Sequence, residues 1–274
     1  MAALYGWVGG KHNSRKFIIP RIPKHKTYVE CYFGAGHIFW SKEKSEIEVV
    51  NDFNSTIVNF LRVIQDPEKC NLLALRIAYT LYSYSTFAEA FDAPTDSLDS
   101  AWSFFVKQNQ GYGGLAGSPG NWGRNFGVTC ATGSFTNKNL KIFNARIRDT
   151  IIHNSDALEL LDKYDSEDTF FYLDPPYVLS TRCGSAYECE CSDLHHAKLS
   201  VALSKIKGKV MLSGYDNKYY KDLENIGWRK LSYDTFCLQS GNKRMSETGG
   251  AKFSGDKKRT ENVWVNYETG ETDE

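Results

Sequence analysis

The run Phe170–Tyr177, FFYLDPPY, joins four apolar or aromatic residues to a carboxylate, two prolines and a tyrosine. Pro175 and Pro176 have no N–H to give a sheet ladder, so a strand must stop before them. A proline also pushes the residue ahead of it into an extended conformation. The Asp174 carboxylate and the neighbouring backbone carbonyls can then face a hollow as a fixed row of acceptors. Such a row suits an exocyclic amine, which brings two N–H donors. Tyr177 offers a flat face on which a base can stack, a contact typically worth about 1–3 kcal/mol. The plain alternative is a strand stop with a surface aspartate.

A second constellation is YVECYFGAGHIF, residues 28–39, where a buried run meets Gly34-Ala35-Gly36. Glycines there allow a sharp turn and close approach of backbone to a ligand. Asp52 ends the next strand-like run, 18 positions after Gly34. An acid so placed can accept hydrogen bonds from ribose hydroxyls, or it can cap the following helix. The dinucleotide fingerprint G-x-G-x-x-G is incomplete, because position 39 is Phe. A nucleoside ligand without a pyrophosphate fits better.

These residues need strands to carry them. Strand-like runs occur at 28–33, 46–50, 150–152, 170–173, 209–213 and in ENVWVNY, 261–267. Between them lie helical patterns: residues 54–65 with Asn54 or Ser55 as cap, a helical stretch over about 66–100 including LLALRIAYTLYSYS, and HAKLSVALSKI. Alternation of this kind predicts an α/β fold with a largely parallel sheet. Residues 108–139, with QGYGGLAGSPGNWGRNFG at their centre, are too poor in apolar residues for a core and read as loops and a hairpin on a scaffold. A Gly-, Lys- and Ser-rich stretch precedes the last strand.

Lys plus Arg and Asp plus Glu number 33 each, so net charge points to no partner. Positive charge is nevertheless clustered at Lys11–Lys26, Arg124–Arg148 and Lys243–Arg259, where phosphates could be met or the surface merely solvated. No secretory leader and no membrane span is visible, and seven cysteines without a leader suit a reducing cytoplasm.

Taken in order, these motifs resemble those of adenine-specific DNA methyltransferases of the Dam family. YGWVGGK (5–11) resembles the family's N-terminal W-x-G-G-K, VECYFGAG (29–36) its glycine loop, and VVNDFN (49–54) its acidic strand end. FYLDPPY (171–177) resembles its catalytic loop and KRTENVWVNY (258–267) its closing strand. The resemblance implies a Rossmann-like S-adenosylmethionine-dependent methyltransferase sheet formed by residues 1–62 and 146–274, with 63–145 inserted to recognise DNA.

It further implies that S-adenosylmethionine is the methyl donor, that no metal is needed, and that the methyl goes to N6 of an adenine flipped out of double-stranded DNA. Trp7 and Lys11 would help bind the donor, with Lys11 also close to DNA; Phe33, Gly34 and Gly36 would line its site, and Asp52 would hold its ribose. Asp174 would stand between donor and target amine, with Pro175, Pro176 and Tyr177 completing the catalytic loop. Asp156, in NSDAL, would contact the donor's adenine; as a residue it is equally a helix N-cap. Outside the family, Lys11 would read as an ordinary surface lysine. The implied setting is the cytoplasm of a bacterium or phage-infected cell, at the nucleoid, as a monomer or weak dimer and within or outside a restriction-modification pair. Rivals are an N4-cytosine methyltransferase, a DNA-binding protein of this fold without transfer activity, and, further off, a dinucleotide-dependent oxidoreductase.

Two features depart from that pattern. The family's recognition hairpin is not recognisable within 108–139, so a GATC preference does not follow. Cys183, Cys189, Cys191, His195 and His196 supply enough ligands for zinc but lack the pairings of common sites. The resemblance reads His196-Ala197-Lys198-Leu199 instead as the family's H-x-x-L, with His195 in place of its Asp.

Overall fold

A computed structural model describes residues 3–7, 9–92, 96–111, 118–123, 139–178, 191–237 and 257–270. Strands β1 (Thr27–Glu30), β2 (Ile47–Asn51), β3 (Ile151–His153), β4 (Thr169–Leu173) and β5 (Lys209–Gly214) run parallel. The antiparallel pair β6 (Arg229–Cys237) and β7 (Lys257–Val265) extends the sheet beyond β5. The order across the sheet is β3-β2-β1-β4-β5-β7-β6. The chain builds outward from β1 to β2 and β3, then returns to place β4 on the other flank of β1. Open α/β sheets bind ligands at such a reversal, outside the carboxyl ends of the strands.

Side-chain alternation sorts the strands between two cores. Tyr28, Val50, Phe170, Tyr172 and Met211 face one side, and Val29, Val49, Phe171, Leu173, Val210 and Leu212 the other. Both faces are covered, which is why FFYL is apolar at every position rather than at every second one. On the first face lie α1 (Arg15–Ile18), α2 (His37–Ser41), α3 (Ser55–Gln65), α4 (Pro67–Ala78), α5 (Tyr84–Glu89), α6 (Ser97–Gln110) and α7 (Leu140–Ile147). On the second lie α8 (Ala157–Tyr164), α9 (Asp193–Leu203) and α10 (Lys218–Asn225).

Asn54 caps α3 as expected, accepting from the Thr56 N–H at 2.9 Å. Asp66 then caps α4, with Pro67 at its first position, so the two helices meet at a sharp corner. Helices α4, α6 and α7 pack on α3 and share its core. The helical stretch expected over 66–100 is interrupted: α4 stops at Ala78 and α5 starts at Tyr84. Thr80 turns its hydroxyl back to the Arg76 carbonyl at 2.7 Å, and Ser83 caps α5. Strand β1 also ends earlier than expected, at Glu30, because the chain bends so that the Phe33 N–H reaches the Asn51 carbonyl at 2.9 Å.

Not every basic residue of the clustered segments faces outward. Arg146 is paired with Glu48 in the interior, and Lys42 donates to the same carboxylate at 2.6 Å. Arg146 also donates to the Phe39 carbonyl at 2.9 Å, which ties α7 to α2. Removing one member of such a buried set typically costs about 3–5 kcal/mol. Most of residues 108–139, the stretch before β7, and Cys183 and Cys189 lie outside the described residues.

Candidate active site

The carboxyl ends of β1 and β4 open onto one cavity. Trp7, Lys11, Phe33, Gly34 and Gly36 line it, as do Asp52, Asp156, Asp174 and Pro176. Nine of the eleven site residues expected from the sequence therefore share one hollow. The other two flank it: Pro175 is buried, and Tyr177 stands beside Lys11, whose Nζ lies 4.9 Å from its ring centroid.

The glycine loop is shaped by two left-handed residues, Gly34 at φ 49° and Gly36 at φ 63°. A Cβ on Gly34 would sit 2.9 Å from the Trp7 indole, and one on Gly36 would run into the Phe33 ring. Both glycines are thus required by close approach as well as by conformation. Asp52 accepts from the Gly34 N–H at 2.8 Å and from the Asn54 N–H at 2.9 Å. The acid at the end of β2 therefore braces the loop it faces. Burial raises the Asp52 carboxyl to about 6, against the pull of those N–H donors.

Asn51 clamps the neighbouring segment. Its side chain donates to the carbonyls of Cys31 at 2.9 Å and Ser155 at 3.0 Å, which sets Asp156 at the cavity wall. Asp156 also caps α8 through the Leu158 N–H at 2.9 Å. The two readings of this residue are compatible, because its cap bond uses one carboxylate oxygen.

At the other end, β4 stops at Leu173 and Asp174 follows directly. Lys11 Nζ sits 2.8 Å from Asp174 Oδ1, with 5% and 18% of the side chains exposed. Lys11 is thus a buried partner of the DPPY acid, not the surface lysine that residue-level reading gives. Burial lowers the Lys11 ammonium, but Asp174 and Glu261 more than offset this and hold it above its ordinary value. Burial likewise raises the Asp174 carboxyl, with Lys11 opposing.

Cavity residues that escape the sequence reading include Glu30, Tyr32 and His37. Glu30, at the end of β1, accepts from the Tyr28 hydroxyl at 2.7 Å, and burial raises its carboxyl to about 8. The signal available was a lone acid inside the otherwise apolar and aromatic run 28–33. His37 follows the glycine loop, and burial with its neighbours His12, Arg15 and Lys11 lowers it to about 4. Tyr32 and His195 meet at 2.7 Å on the side of Asp156. His196 is buried and pairs with the Tyr220 hydroxyl at 2.8 Å, and Leu199 is buried one turn on. The H-x-x-L segment thus packs α9 onto α10. Among the described residues no cluster of three or more potential metal ligands is present.

A doubly wound sheet, a braced glycine turn and a DPPY acid thus meet at the sheet's switch point, where open α/β folds bind their ligands. The chain belongs to the D12 class N6 adenine-specific DNA methyltransferases, whose family model matches residues 7–226. It is therefore an enzyme that methylates adenine in DNA. It is 23% identical over 251 residues to the type II methyltransferase M.CviBI of Paramecium bursaria Chlorella virus NC1A, covering 88% of this chain and 94% of that one. It is 23% identical over 227 residues to the DNA adenine methylase of Escherichia coli K12, covering 78% and 81%. Solved structures give weaker likenesses. An rRNA methylase from Streptococcus thermophilus aligns at TM-score 0.33 and 10% identity over 93% of this chain and 94% of that one. A precorrin 8w decarboxylase from Methanobacterium thermoautotrophicum aligns at 0.34 and 10% over 92% and 88%. At such scores neither bears on the argument.

Proposed function

We propose that the cavity holds S-adenosylmethionine on its Asp52 side and presents the N6 amine of a flipped-out adenine to it on the Asp174 side. The observation that carries this reading is that Asp52 and Asp174 line the same hollow. The residues present suit an adenosine-bearing donor. Asp52 offers acceptors for a ribose diol, Asp156 for an adenine amine, and the glycine turn lets backbone and the Trp7 ring close on the ligand. The donor supplies an electrophilic methyl on a cationic sulfonium.

An adenine within a duplex cannot reach such a pocket, so extrusion at a cost of a few kcal/mol is part of the proposal. Asp174 and the Pro175 carbonyl accept from the amine and aim its lone pair. Tyr177, already packed edge-on to Tyr215 at 4.7 Å, supports the extruded base. Alignment and a fixed electrostatic environment are the protein's main contributions. The segment 63–145 carries DNA recognition. Its exposed Tyr79 and Tyr84 support that role. The enzyme would act where its DNA lies, in the cytoplasm of a bacterium or infected cell, as a monomer or weak dimer.

Two variants separate the halves of the site. Asp52→Ala should weaken donor binding by more than tenfold in calorimetry while DNA affinity stays within about twofold. Tyr177→Ala should impair handling of the flipped base, followed by 2-aminopurine fluorescence at the target position, more than donor affinity. Equal losses of both in Tyr177→Ala would refute the stacking role.

A further inference from the structure

The closing strand contributes a second carboxylate to the site. Glu261, on β7, places Oε2 3.9 Å from Lys11 Nζ and is 14% exposed. It is fixed from β6, where the directly opposed Tyr233 donates its hydroxyl to the same oxygen at 3.0 Å. Tyr233 in turn stacks on Phe17 at 4.2 Å. Lys11 is thus shared between Asp174 and Glu261, with a further bond to the Gly9 carbonyl at 3.2 Å. Glu261 lies beyond residue 226, where the family match ends.

We propose that Glu261 is a positioning residue for methyl transfer: by sharing the Lys11 ammonium it leaves Asp174 with surplus negative charge facing the target amine. The proposal rests on the placement of donor and amine given above. Two carboxylates around one ammonium carry a net charge of about −1 when both are ionised. In the transfer, the amine lone pair forms the new N–C bond and the C–S electron pair departs with sulfur. Nitrogen gains positive charge on the way and must then shed one proton. A neutral Lys11–Asp174 pair would offer that cation little. With Glu261 engaging Lys11, Asp174 is both a stronger acceptor for the amine and a better destination for the proton.

Other groups facing the cluster are Tyr172 on β4, Tyr233 on β6, Tyr177 after β4, Glu30 on β1, His37 at the start of α2 and Tyr220 on α10. None of them replaces the charge that Glu261→Gln removes. The test is the pH profile of single-turnover methyl transfer at saturating donor and DNA. In Glu261→Gln the maximum rate should fall by about tenfold, less than the 10²–10³ lost when a direct transition-state contact is removed. The acidic limb should move to lower pH, because Asp174 has lost a repelling neighbour. Donor and DNA affinities should stay within about twofold. Tyr233→Phe, which loosens Glu261 but keeps its charge, should leave the limb in place. A limb that does not move in Glu261→Gln, or a rate loss that tracks melting temperature or ligand affinity, would overturn the proposal. Full transfer by Asp174→Ala would instead overturn the placement beneath it, so the two failures are distinguishable.

Discussion

Individual residues in this site are set against their own solution chemistry. Glu30 and Asp52 are acids whose burial raises them to about 8 and about 6. Glu30 gives a stability test with a definite sign. Its folded-state value lies above that of an unfolded carboxylate, so its contribution is full below the unfolded value of about 4.3 and is lost as pH rises through about 8. Glu30→Gln keeps an acceptor for Tyr28 but cannot ionise. It should therefore unfold at a higher temperature than the parent at pH 9 and differ little at pH 5. The gap should be roughly a few kcal/mol at most, since one pH unit is worth about 1.4 kcal/mol. A melting-temperature difference equal at both pH values would refute it. At this scale the sequence was informative only where chemistry is local. The Asp174-Pro175-Pro176 corner could be read from proline geometry, and Asn54 from its position as a cap. Lys11 could not, since its partners come from β4 and β7, far along the chain.

Elements convert those residues into a site by stopping at the right place. β4 ends because two prolines follow, β2 ends on Asn51 with Asp52 directly after it, and the turn after β1 is held open by two left-handed glycines. Gly36→Ala tests this geometry. Its Cβ would collide with the Phe33 ring and strain the backbone at positive φ, typically a cost of about 1–3 kcal/mol. Donor affinity should fall at least about tenfold, with far-ultraviolet circular dichroism unchanged. Unaltered affinity would show that the turn does not shape the donor site. The buried parallel strands were legible because unbroken apolar runs are what a sheet covered on both faces requires. β6, RKLSYDTFC, was not, since charged and polar residues on an edge strand hide its period. The break between α4 and α5 was missed because apolar residues continue through Tyr79–Ser83 while Thr80 and Ser83 redirect the backbone locally.

Across the whole molecule, zero net charge leaves DNA attraction to local patches. Of the clustered basic residues, Lys11 and Arg146 are committed to interior pairs, and Lys26 pairs with Asp168 at 2.6 Å on the surface. The proposed DNA contact leaves phosphates to the remaining positive charge. The KM for DNA should then rise at least about tenfold between about 50 and 200 mM salt, while donor affinity stays level. A flat KM would mean that binding is not carried by phosphate contacts. The order of motifs made the class readable from sequence, because three of them, VECYFGAG, VVNDFN and FYLDPPY, end parallel strands at the same edge of the sheet. The charge cluster around Lys11 was hidden, because it is assembled by the antiparallel return of β7 beside β5.

The central claim is that Asp174 and Asp52 serve one cavity from opposite sides, one for the amine and one for the donor. The most direct test is the single-turnover rate of Asp174→Ala in a preformed complex saturated with DNA and S-adenosylmethionine. The account predicts a fall of at least about 100-fold, the scale of losing a direct transition-state contact, with DNA affinity largely kept. Transfer retained above a few per cent of the parent rate would contradict it.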